Sequence, residues 1–376
     1  MKRAVLTVTN DITTDQRVNK AARTLQKMGF EVMIVGVRRK DSKPFDPSYA
    51  SIKRIPLLFH KKFPFYAEYN LKLFFLLLFG RFSLIVSNDL DTLLASHLAA
   101  FLKRKPLVYD SHEYFCNTPE IVNRPFVYRF WKTLERFLFR RQKTIITVNQ
   151  SIASLYETEY GKKVHVIRNL PPYRKPGACL PADELSLPPG KDIVLLQGSW
   201  INVDRGAEEL LQAMHPRFGL KNLLLVIIGS GDVMPKLKKM AADEPLTSRV
   251  LFFDKMEYSL LYEYTRYATI GVSLDKDSNL NYRYSLPNKL FDYIMAGTPQ
   301  LVSDLPEVAG IVRKFKTGMV LQNHDPAHIA QCITHMLQDA TRLKEWQANC
   351  LDAAKTLCWE NEEEKLIAIY KKALSF

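Results

Sequence analysis

The sequence contains few of the residues that mark several protein classes. Only 5 of its 376 residues are Cys, an odd number with no CxxC pair, which argues against a disulfide framework and favours a reducing, cytoplasmic location. With 15 Gly and 20 Pro, the chain is neither collagen-like nor of low complexity. Its most apolar stretch, residues 71–86, is interrupted by Lys72 and Arg81 and is too short for a membrane span. The N-terminal segment lacks the long uncharged core of a secretory signal.

Apolar residues and positive charge are both abundant. Hydrophobic residues make up 47% of the chain, which excludes a disordered protein, and the length of 376 residues predicts two domains. The formal net charge is +14. Residues 1–176 hold 31 Lys and Arg against 14 Asp and Glu, whereas residues 177–376 hold 22 against 25. The positive excess therefore lies in the first half, where it favours an anionic partner: phosphate, nucleic acid or an acidic membrane surface.

Short β-branched runs alternate with amphipathic segments along the chain, which is typical of parallel sheets with crossover helices. The predicted strands cover residues 3–9, 31–37, 83–87, 106–109, 144–148, 164–167, 193–197, 223–228, 250–253, 270–274 and 299–303. The predicted helices cover residues 17–28, 92–101, 126–140, 152–160 and 288–296, with another that starts at Arg205.

A proline-rich segment separates two such series. Residues 171–190 hold six prolines and predict a linker (Pro171, Pro172, Pro176, Pro181, Pro188 and Pro189). We therefore predict an α/β protein with two Rossmann-like domains. The first covers residues 1–170 and is completed by a C-terminal helix at 360–374, and the second covers 191–355. Ligands of such sheets bind beyond the carboxyl ends of the strands, so the loops there are candidate sites.

The most specific stretch of the sequence is residues 285–304. Pro287 and Gly297 delimit the predicted helix over 288–296. Lys289 lies in its first turn, and a helix N-terminus beside a cation favours a phosphate ligand. Asp292, one turn further, is suited to accept hydrogen bonds from sugar hydroxyls. On residue types alone the alternative stays open, namely that Asp292 is a solvated helix residue and Lys289 a surface charge.

Six further motifs accompany this stretch along nearly the whole chain. They are DQRV at 15–18, GFEV at 29–32, YDSHE at 109–113, IRNL at 167–170, DRG at 204–206 and IGSG at 228–231. Together they resemble the retaining, family-4 type glycosyltransferases of group 1. Their GT-B fold has two Rossmann-like domains that face each other across a cleft. The resemblance implies transfer of a sugar from a nucleotide diphosphate sugar, with retention of anomeric configuration and with no cofactor or metal.

The resemblance also assigns roles to individual residues. Asp292 matches the second acid of the family signature, which contacts the nucleotide ribose, whereas Tyr284 stands where the first acid is expected. Arg205 matches the lysine that binds the pyrophosphate, Lys289 supplements it, and His112 matches a histidine near the donor sugar. The expected catalytic residues are therefore His112, Arg205, Lys289 and Asp292. The expected substrate-binding residues are Asn10, Asp15, Glu113, Ser199, Gly231, Tyr284, Ser285, Leu286 and Asn288.

The sequence departs from the family pattern at three places. Ser199 replaces a second phosphate-binding arginine, residues 10–15 replace a glycine-rich loop, and main-chain N–H groups at 284–286 are expected to serve where Tyr284 replaces the acid. In the implied mechanism, fixed cations and a helix N-terminus stabilise the negative charge that develops on the departing diphosphate. The leaving phosphate then deprotonates the acceptor on the same face.

Two Asp-x-Asp triplets, at 89–91 and 275–277, are weighed as metal sites, because such a triplet holds a divalent cation in single-domain nucleotide-sugar transferases. Three-residue patterns recur by chance, and Asp91 lies where a helix would be capped. We therefore expect no metal at either triplet.

Residues 59–82 and 126–143 mix aromatic side chains with Lys and Arg. Such a stripe suits an anionic membrane interface, and the alternative is that the apolar residues face the sheet while the charges face water. No nucleic-acid recognition module is visible. We expect a cytoplasmic protein, peripheral on the inner face of the membrane.

The resulting prediction is a glycosyltransferase that acts on a glycan or lipid-linked acceptor in cell-surface polysaccharide or glycolipid synthesis. Two competitors stay open. One is a nucleotide-sugar epimerase of the same fold, and the other is a non-catalytic protein that binds a nucleotide sugar or a partner, as the replacement of the first acid by Tyr284 suggests.

Overall fold

Two parallel β-sheets, each flanked by helices, make up the computed structural model of the chain, which describes residues 2–40, 42, 44–175, 177, 180–242 and 244–375. Pro176 of the predicted linker and Cys179 lie outside these residues. The chain divides into two compact units. Unit 1 contains the described residues up to Asn169 and those from Glu360 onward, and unit 2 is Leu170–Trp359.

Unit 1 contains, within its described residues, a sheet of seven strands in the order β3-β2-β1-β4-β5-β6-β7, and all neighbouring strands are parallel. The strands are β1 (Arg3–Thr7), β2 (Glu31–Val37), β3 (Ser51–Ile55), β4 (Leu84–Asn88), β5 (Leu107–Ser111), β6 (Thr144–Thr147) and β7 (His165–Val166). The helices are α1 (Gln16–Lys27), α2 (Lys62–Phe79), α3 (Leu90–Lys103), α4 (Pro119–Val122), α5 (Pro125–Phe139), α6 (Gln150–Tyr160) and, beyond its first residue, α15 (Trp359–Leu374).

Unit 2 contains, over the part of it that the structure describes, a six-stranded sheet in the order β10-β9-β8-β11-β12-β13, again parallel throughout. The strands are β8 (Asp192–Gly198), β9 (Leu223–Gly229), β10 (Val250–Phe253), β11 (Ile270–Ser273), β12 (Gln300–Ser303) and β13 (Gly318–Leu321). The helices are α7 (Ala207–Ala213), α8 (Met234–Met240), α9 (Tyr258–Tyr267), α10 (Leu280–Arg283), α11 (Asn288–Ala296), α12 (Pro306–Phe315), α13 (Pro326–Gln338) and α14 (Ala340–Thr356).

The strand order of each sheet fixes where a ligand is best placed. The order reverses between β1 and β4 in unit 1, and between β8 and β11 in unit 2. Loops on either side of such a reversal diverge and open a crevice at the carboxyl ends of the strands. The loops after β1 and β4 carry Asn10 and Asp89, and those after β8 and β11 carry Arg205 and Asp275.

The predicted α/β fold is confirmed, and the element boundaries show where sequence patterns mislead. Strands β3 and β13 were not predicted. The helix predicted from Arg205 begins instead at Ala207, because Gly206 takes φ +70° and a Cβ there would lie 2.3 Å from the Leu274 carbonyl oxygen. Arg205 therefore lies in the preceding loop.

Two sequence expectations about apolar segments can be compared directly with the structure. Leu185 and Leu187, inside the predicted linker, are buried in a core cluster of unit 2, so this part of the segment packs on that unit. Among the described residues, no helix combines the length and apolarity that a bilayer span needs.

Candidate functional site

The central feature of unit 2 is a charged cluster at the carboxyl ends of β8 and β11. Arg205 Nη1 lies 2.5 Å from Asp275 Oδ2, and the guanidinium is stacked over the Tyr282 ring at 4.2 Å. Asp275 is only 1% exposed, whereas about a quarter of the Arg205 side chain reaches solvent. Burial disfavours the Arg205 charge, but the Asp275 carboxylate and Tyr282 outweigh it and raise the pKa of Arg205. Arg205 is therefore a cation that Asp275 and Tyr282 hold in place.

Lys289 adds a second cation to this cluster. It lies in the first turn of α11 and is half-buried. Burial lowers the pKa of Lys289, the nearby Arg205 lowers it too, and Asp275 acts in the opposite direction. The two cations that the sequence assigned to the pyrophosphate therefore interact through charge, both with each other and with the Asp275 carboxylate.

Asp292 lies one turn further along α11 and is 9% exposed, so it is not a solvated helix residue. Its Oδ1 accepts a hydrogen bond of 2.7 Å from the Tyr258 hydroxyl, and its Oδ2 accepts one of 3.4 Å from Gln197 Nε2. Gln197 is in turn fixed by the Thr265 hydroxyl, which donates to Oε1 at 2.8 Å. Asp292 is thereby held in a buried polar network at the end of β8.

The segment before α11 offers less to a ligand than expected. The N–H group of Tyr284 donates to the Leu280 carbonyl, and that of Ser285 donates to the Tyr282 carbonyl, so both N–H groups are already hydrogen-bonded within the α10 turn. Their predicted use by the donor is therefore not supported. Leu286 packs against a core cluster of unit 2, and Asn288 is exposed.

The loop after β8 is packed tightly on its neighbours. Ser199 is exposed, and its carbonyl accepts a hydrogen bond of 2.9 Å from the Ser230 hydroxyl. A Cβ at Gly231, where φ is +157°, would lie 2.1 Å from the Ile201 carbonyl oxygen. Gly231 therefore allows the loops after β8 and β9 to approach each other.

A second charged cluster lies at the carboxyl ends of β4 and β5 in unit 1. His112 follows β5, and its main-chain N–H donates to Asp89 Oδ1 at 2.8 Å. Its ring nitrogens lie 3.5 Å from Asp89 Oδ2 and 3.7 Å from Asp110 Oδ2. Asp110 also receives two hydrogen bonds from Arg17, of 3.0 and 2.6 Å. Burial disfavours a charged imidazole, but Asp89 and Asp110 dominate and raise the pKa of His112 to about 9.

We expect a His112 ring that is protonated at neutral pH. Proton NMR of the histidine rings measures this protonation, and the His112 signal is assigned by its loss in His112→Gln. We expect a titration midpoint above about pH 8 for His112, and an ordinary midpoint of about 6.5 would contradict this expectation. Because the folded-state pKa is raised, the stabilisation from the charged ring is complete below about pH 6.5. It is lost as the pH rises through about 9 in the wild type but not in His112→Gln.

The remaining predicted residues of unit 1 are structural neighbours of this cluster. Asp15 caps α1 by accepting a bond of 3.1 Å from the Val18 N–H, and Asn10 Nδ2 donates to Asp15 Oδ2 at 2.6 Å. Glu113 is half-buried, and its carbonyl accepts a bond of 2.9 Å from the Ser111 hydroxyl. Asp15 and Asn10 thus shape the loop after β1.

In the Asp-x-Asp triplet of unit 1, a different residue caps the helix from the one predicted. The residue at the N-cap of α3 is Asp89, with φ +59°, and Asp91 lies inside the first turn, where it accepts a hydrogen bond from Thr9. Burial and Asp89 raise the pKa of Asp91 to about 7. Within the described part of the chain, no group of three or more His, Cys, Asp and Glu side chains is arranged to hold a metal ion.

Comparison with protein-family models matches both halves of the chain. Residues 16–170 match the model described as "Glycosyltransferase Family 4", and residues 191–339 match "Glycosyl transferases group 1". The chain belongs to the group 1, family-4 type glycosyltransferases. The predictions of a glycosyltransferase and of the GT-B fold are thereby confirmed.

Individual relatives of this glycosyltransferase agree with the family assignment. A D-inositol 3-phosphate glycosyltransferase of Acidothermus cellulolyticus is 26% identical over 235 residues, which cover 57% of this chain and 50% of the relative. The chain spans half or less of the length of the curated relatives it matches. Among solved structures, sucrose-phosphate synthase from Thermosynechococcus elongatus has a TM-score of 0.81 at 16% identity, with both chains covered fully. Anabaena Alr3699/HepE in complex with UDP-glucose has a TM-score of 0.74 at 12% identity, covering 99% of this chain and 100% of the other.

Sequence reasoning missed the residues that surround the predicted ones in this glycosyltransferase. Asp275 was weighed only as part of a metal triplet, although its position directly after a predicted strand was a usable signal. Asp110 and Arg17 lay inside quoted motifs without a role. For Tyr258 and Gln197, which hold Asp292, the sequence carried no signal, because their pairing depends on the tertiary fold.

Proposed function

We propose that the chain transfers a sugar from a nucleotide diphosphate sugar, bound by unit 2, to an acceptor that carries phosphate or lies on an anionic membrane. The reaction retains the anomeric configuration, needs no metal, and serves polysaccharide or glycolipid synthesis. The observation that carries the proposal is the pair of cations, Arg205 and Lys289, at the carboxyl end of the unit 2 sheet. The UDP-glucose complex of a structural neighbour supports it.

The chemistry asked of these groups is electrostatic. As the bond between the sugar and the diphosphate breaks, negative charge develops on the diphosphate, and cations fixed before the reaction stabilise it without reorganisation. Arg205 is fixed by Asp275 and Tyr282, and Lys289 adds a second cation from the first turn of α11. Asp292 accepts a hydrogen bond from the Tyr258 hydroxyl, and we assign it the role of accepting hydrogen bonds from the nucleotide ribose. The departing phosphate takes the acceptor proton, so no carboxylate nucleophile is required.

A thermal-shift screen of nucleoside diphosphates tests the donor assignment. A ligand that binds only the folded protein raises its melting temperature. At a ligand concentration of 100 times Kd, the free energy of unfolding increases by about 2.7 kcal/mol. We expect one nucleoside diphosphate to raise it more than the corresponding monophosphate, because the second phosphate reaches the cation pair. If no diphosphate exceeds its monophosphate, the assignment is wrong.

The positive charge of unit 1 supports an acceptor that bears phosphate. Val37, Arg39, Lys40, His60 and Phe65 line a cavity of about 310 Å³ just beyond the carboxyl end of β2. Three of these five side chains are basic, and a relative is named D-inositol 3-phosphate glycosyltransferase. If the acceptor carries phosphate, phosphatase treatment of an acceptor extract should abolish transfer, and full transfer to a dephosphorylated extract would contradict a phosphate-bearing acceptor.

An apolar-basic face on unit 1 supports peripheral membrane binding. Helices α2 and α5 meet through Phe63 and Phe130, whose ring centroids are 5.5 Å apart. Phe79 is 78% and Phe126 87% exposed, so the alternative that the aromatic residues of these helices face the sheet does not hold for them. We define the face by its exposed apolar residues, which are Phe63, Leu71, Phe75, Phe79, Phe126, Phe130 and Phe137. Exposed basic residues accompany them on these helices and just beyond (Lys62, Lys72, Arg81, Arg129, Arg136, Arg140 and Arg141).

Removing apolar side chains from this face should release the protein from vesicles. In co-sedimentation with vesicles that contain phosphatidylserine, we expect Phe79→Glu combined with Phe126→Glu to lower the bound fraction about tenfold or more, because two aromatic side chains no longer leave water. Leu260→Glu, a matched change at a 39% exposed residue of unit 2, should bind like the wild type. Equal binding by the double variant, or binding that is insensitive to anionic lipid, would contradict the proposal.

A further inference from the structure

Arg174 belongs to the proline-rich segment that was predicted as a linker, and it contacts two tyrosines of unit 2. Its Cζ lies 4.5 Å from the centroid of the Tyr262 ring and 5.2 Å from that of the Tyr258 ring. Its main-chain N–H donates to Met295 Sδ, on α11, at 3.2 Å. The side chain is half-buried. The backbone at Arg174 is therefore attached to α11, while its side chain packs on α9.

The two tyrosines under Arg174 connect α9 to α11 through their hydroxyls. Tyr258 and Tyr262 are four residues apart on α9, so their side chains lie on one face of that helix. The Tyr258 hydroxyl donates to Asp292 Oδ1 at 2.7 Å, and the Tyr262 hydroxyl donates to the Met295 carbonyl at 3.1 Å. Arg174 thus packs on two side chains that join these helices, and one of them holds Asp292.

The charge of Arg174 acts on the Tyr258 hydroxyl in a definite direction. A cation near the face of an aromatic ring is attracted to its electrons, and a positive charge there makes the phenol O–H a stronger hydrogen-bond donor. Burial and the Asp292 carboxylate raise the pKa of Tyr258, whereas Arg174 lowers it. Because the net shift is upward, Tyr258 keeps its proton at neutral pH and donates it in the hydrogen bond to Asp292.

We propose that Arg174 is a positioning residue for the ribose of the nucleotide sugar. It holds the Tyr258 ring, whose hydroxyl orients the Asp292 carboxylate, and the site thereby selects a ribonucleotide over its deoxy counterparts. This proposal rests on the function proposed above, in which Asp292 accepts hydrogen bonds from ribose hydroxyls.

The orientation of Asp292 matters because of the shape of its ligand. Ribose carries two adjacent hydroxyls, and a carboxylate binds them with least loss of entropy when its plane is already fixed. Tyr258 bonds Oδ1 at 2.7 Å, whereas Gln197 Nε2 lies 3.4 Å from Oδ2. Tyr258 is the stronger of these two contacts, so a residue that fixes the Tyr258 ring also fixes the carboxylate.

Isothermal titration with matched nucleotides tests the role of Arg174. The probes are the nucleoside diphosphate chosen by the thermal-shift screen and its 2′-deoxy and 3′-deoxy forms. The readout is the selectivity ratio, which is the Kd of a deoxy form divided by that of the ribonucleotide in the same protein preparation. This ratio is independent of the folded fraction. In the wild type we expect a ratio of about 10 or more for at least one deoxy form, the usual effect of a hydrogen bond to a charged group.

Three variants and a control follow the ratio along the proposed chain of contacts. Tyr258→Phe lacks the hydroxyl and should lower the ratio to below about 3. Arg174→Met removes the charge but keeps an unbranched side chain over the rings, and it should lower the ratio about threefold. Arg174→Lys keeps a cation without the planar guanidinium and should recover part of the selectivity. Lys175→Ala removes an exposed cation of the same segment and should keep the wild-type ratio.

The outcomes distinguish this proposal from the donor site itself. A wild type that binds no nucleoside diphosphate contradicts the donor assignment, and the role of Arg174 falls with it. A wild type that binds ribo and deoxy forms equally leaves the donor site standing but overturns the role of Arg174. An unchanged ratio in Arg174→Met or in Tyr258→Phe overturns it as well. Equal weakening of both ligands counts as an unchanged ratio, since a residue that only stabilised unit 2 would have that effect.

Discussion

Replacing Arg205 with alanine is expected to lower kcat/KM for the donor by about 10²- to 10³-fold, the usual effect of removing one preorganised group that stabilises developing negative charge. Arg205 is fixed in unit 2 by the 2.5 Å contact with Asp275 and by stacking on Tyr282. Its loss would also leave Asp275 buried with less compensating charge. Steady-state release of the nucleoside diphosphate measures the effect.

Two matched variants sharpen this prediction. Arg205→Lys keeps the charge but loses the planar fork, so it should recover only part of the activity. Arg283→Ala removes a nearby arginine whose pair with Asp277 is about half exposed, and it should change the rate less than about twofold. Wild-type turnover by Arg205→Ala would show that the donor site lies elsewhere.

Replacing Asp110 with asparagine is expected to destabilise unit 1 by about 3–5 kcal/mol, the usual cost of removing one partner from a buried ion pair. The side chains of Asp110 and Arg17 are only 4% and 5% exposed, and Arg17 also donates to the Ile167 carbonyl at 2.6 Å. Burial alone would raise the pKa of Asp110, but Arg17 and His112 hold it well below its ordinary value. The stabilisation is therefore present above about pH 4 and lost as the pH falls through the depressed pKa.

Hydrogen exchange of the β1 and β5 amides measures this loss of stability in unit 1. Asp352→Asn serves as the control, because Asp352 is 81% exposed and pairs with Lys355 on the surface, so its loss should cost well under about 1 kcal/mol. Replacing both Arg17 and Asp110 with leucine should cost less than the sum of the single changes, because no buried charge is then left alone. An Asp110→Asn variant as stable as Asp352→Asn would contradict the account.

The fold was largely predictable because its strands have a simple signature. Strands such as β9 are continuous apolar runs, as expected for parallel strands covered on both faces. Strand β3, by contrast, carries Lys53 and Arg54 and lies at an edge of the sheet, where charged residues are tolerated, so its pattern resembles a loop. The start of α7 was misplaced because the conformation of Gly206 follows from its contact with Leu274, which is 68 residues away.

Three of the candidate site residues could be predicted from the sequence, but the residues that hold them in place could not. Arg205, Lys289 and Asp292 stand in motifs, and the structure places the first two in one cluster, with Asp292 one turn further along α11. Their supports come from distant parts of the chain: Asp275 is 70 residues from Arg205, and Tyr258 is 34 residues from Asp292. No local pattern encodes such pairs. The surface aromatic residues were ambiguous for the same reason, since the sequence does not tell which face of a helix the sheet covers.

The most direct test of the central claim is a transfer assay. The wild type is incubated with the nucleotide sugar selected by the thermal-shift screen, with EDTA, and with or without an extract of glycans and glycolipids, and the products are analysed by mass spectrometry and NMR. We predict release of the nucleoside diphosphate and an acceptor heavier by one sugar, joined with the anomeric configuration of the donor. An isomerised sugar formed without acceptor, or tight binding with no turnover on any extract, would contradict the proposed transferase and favour an epimerase or a binding protein.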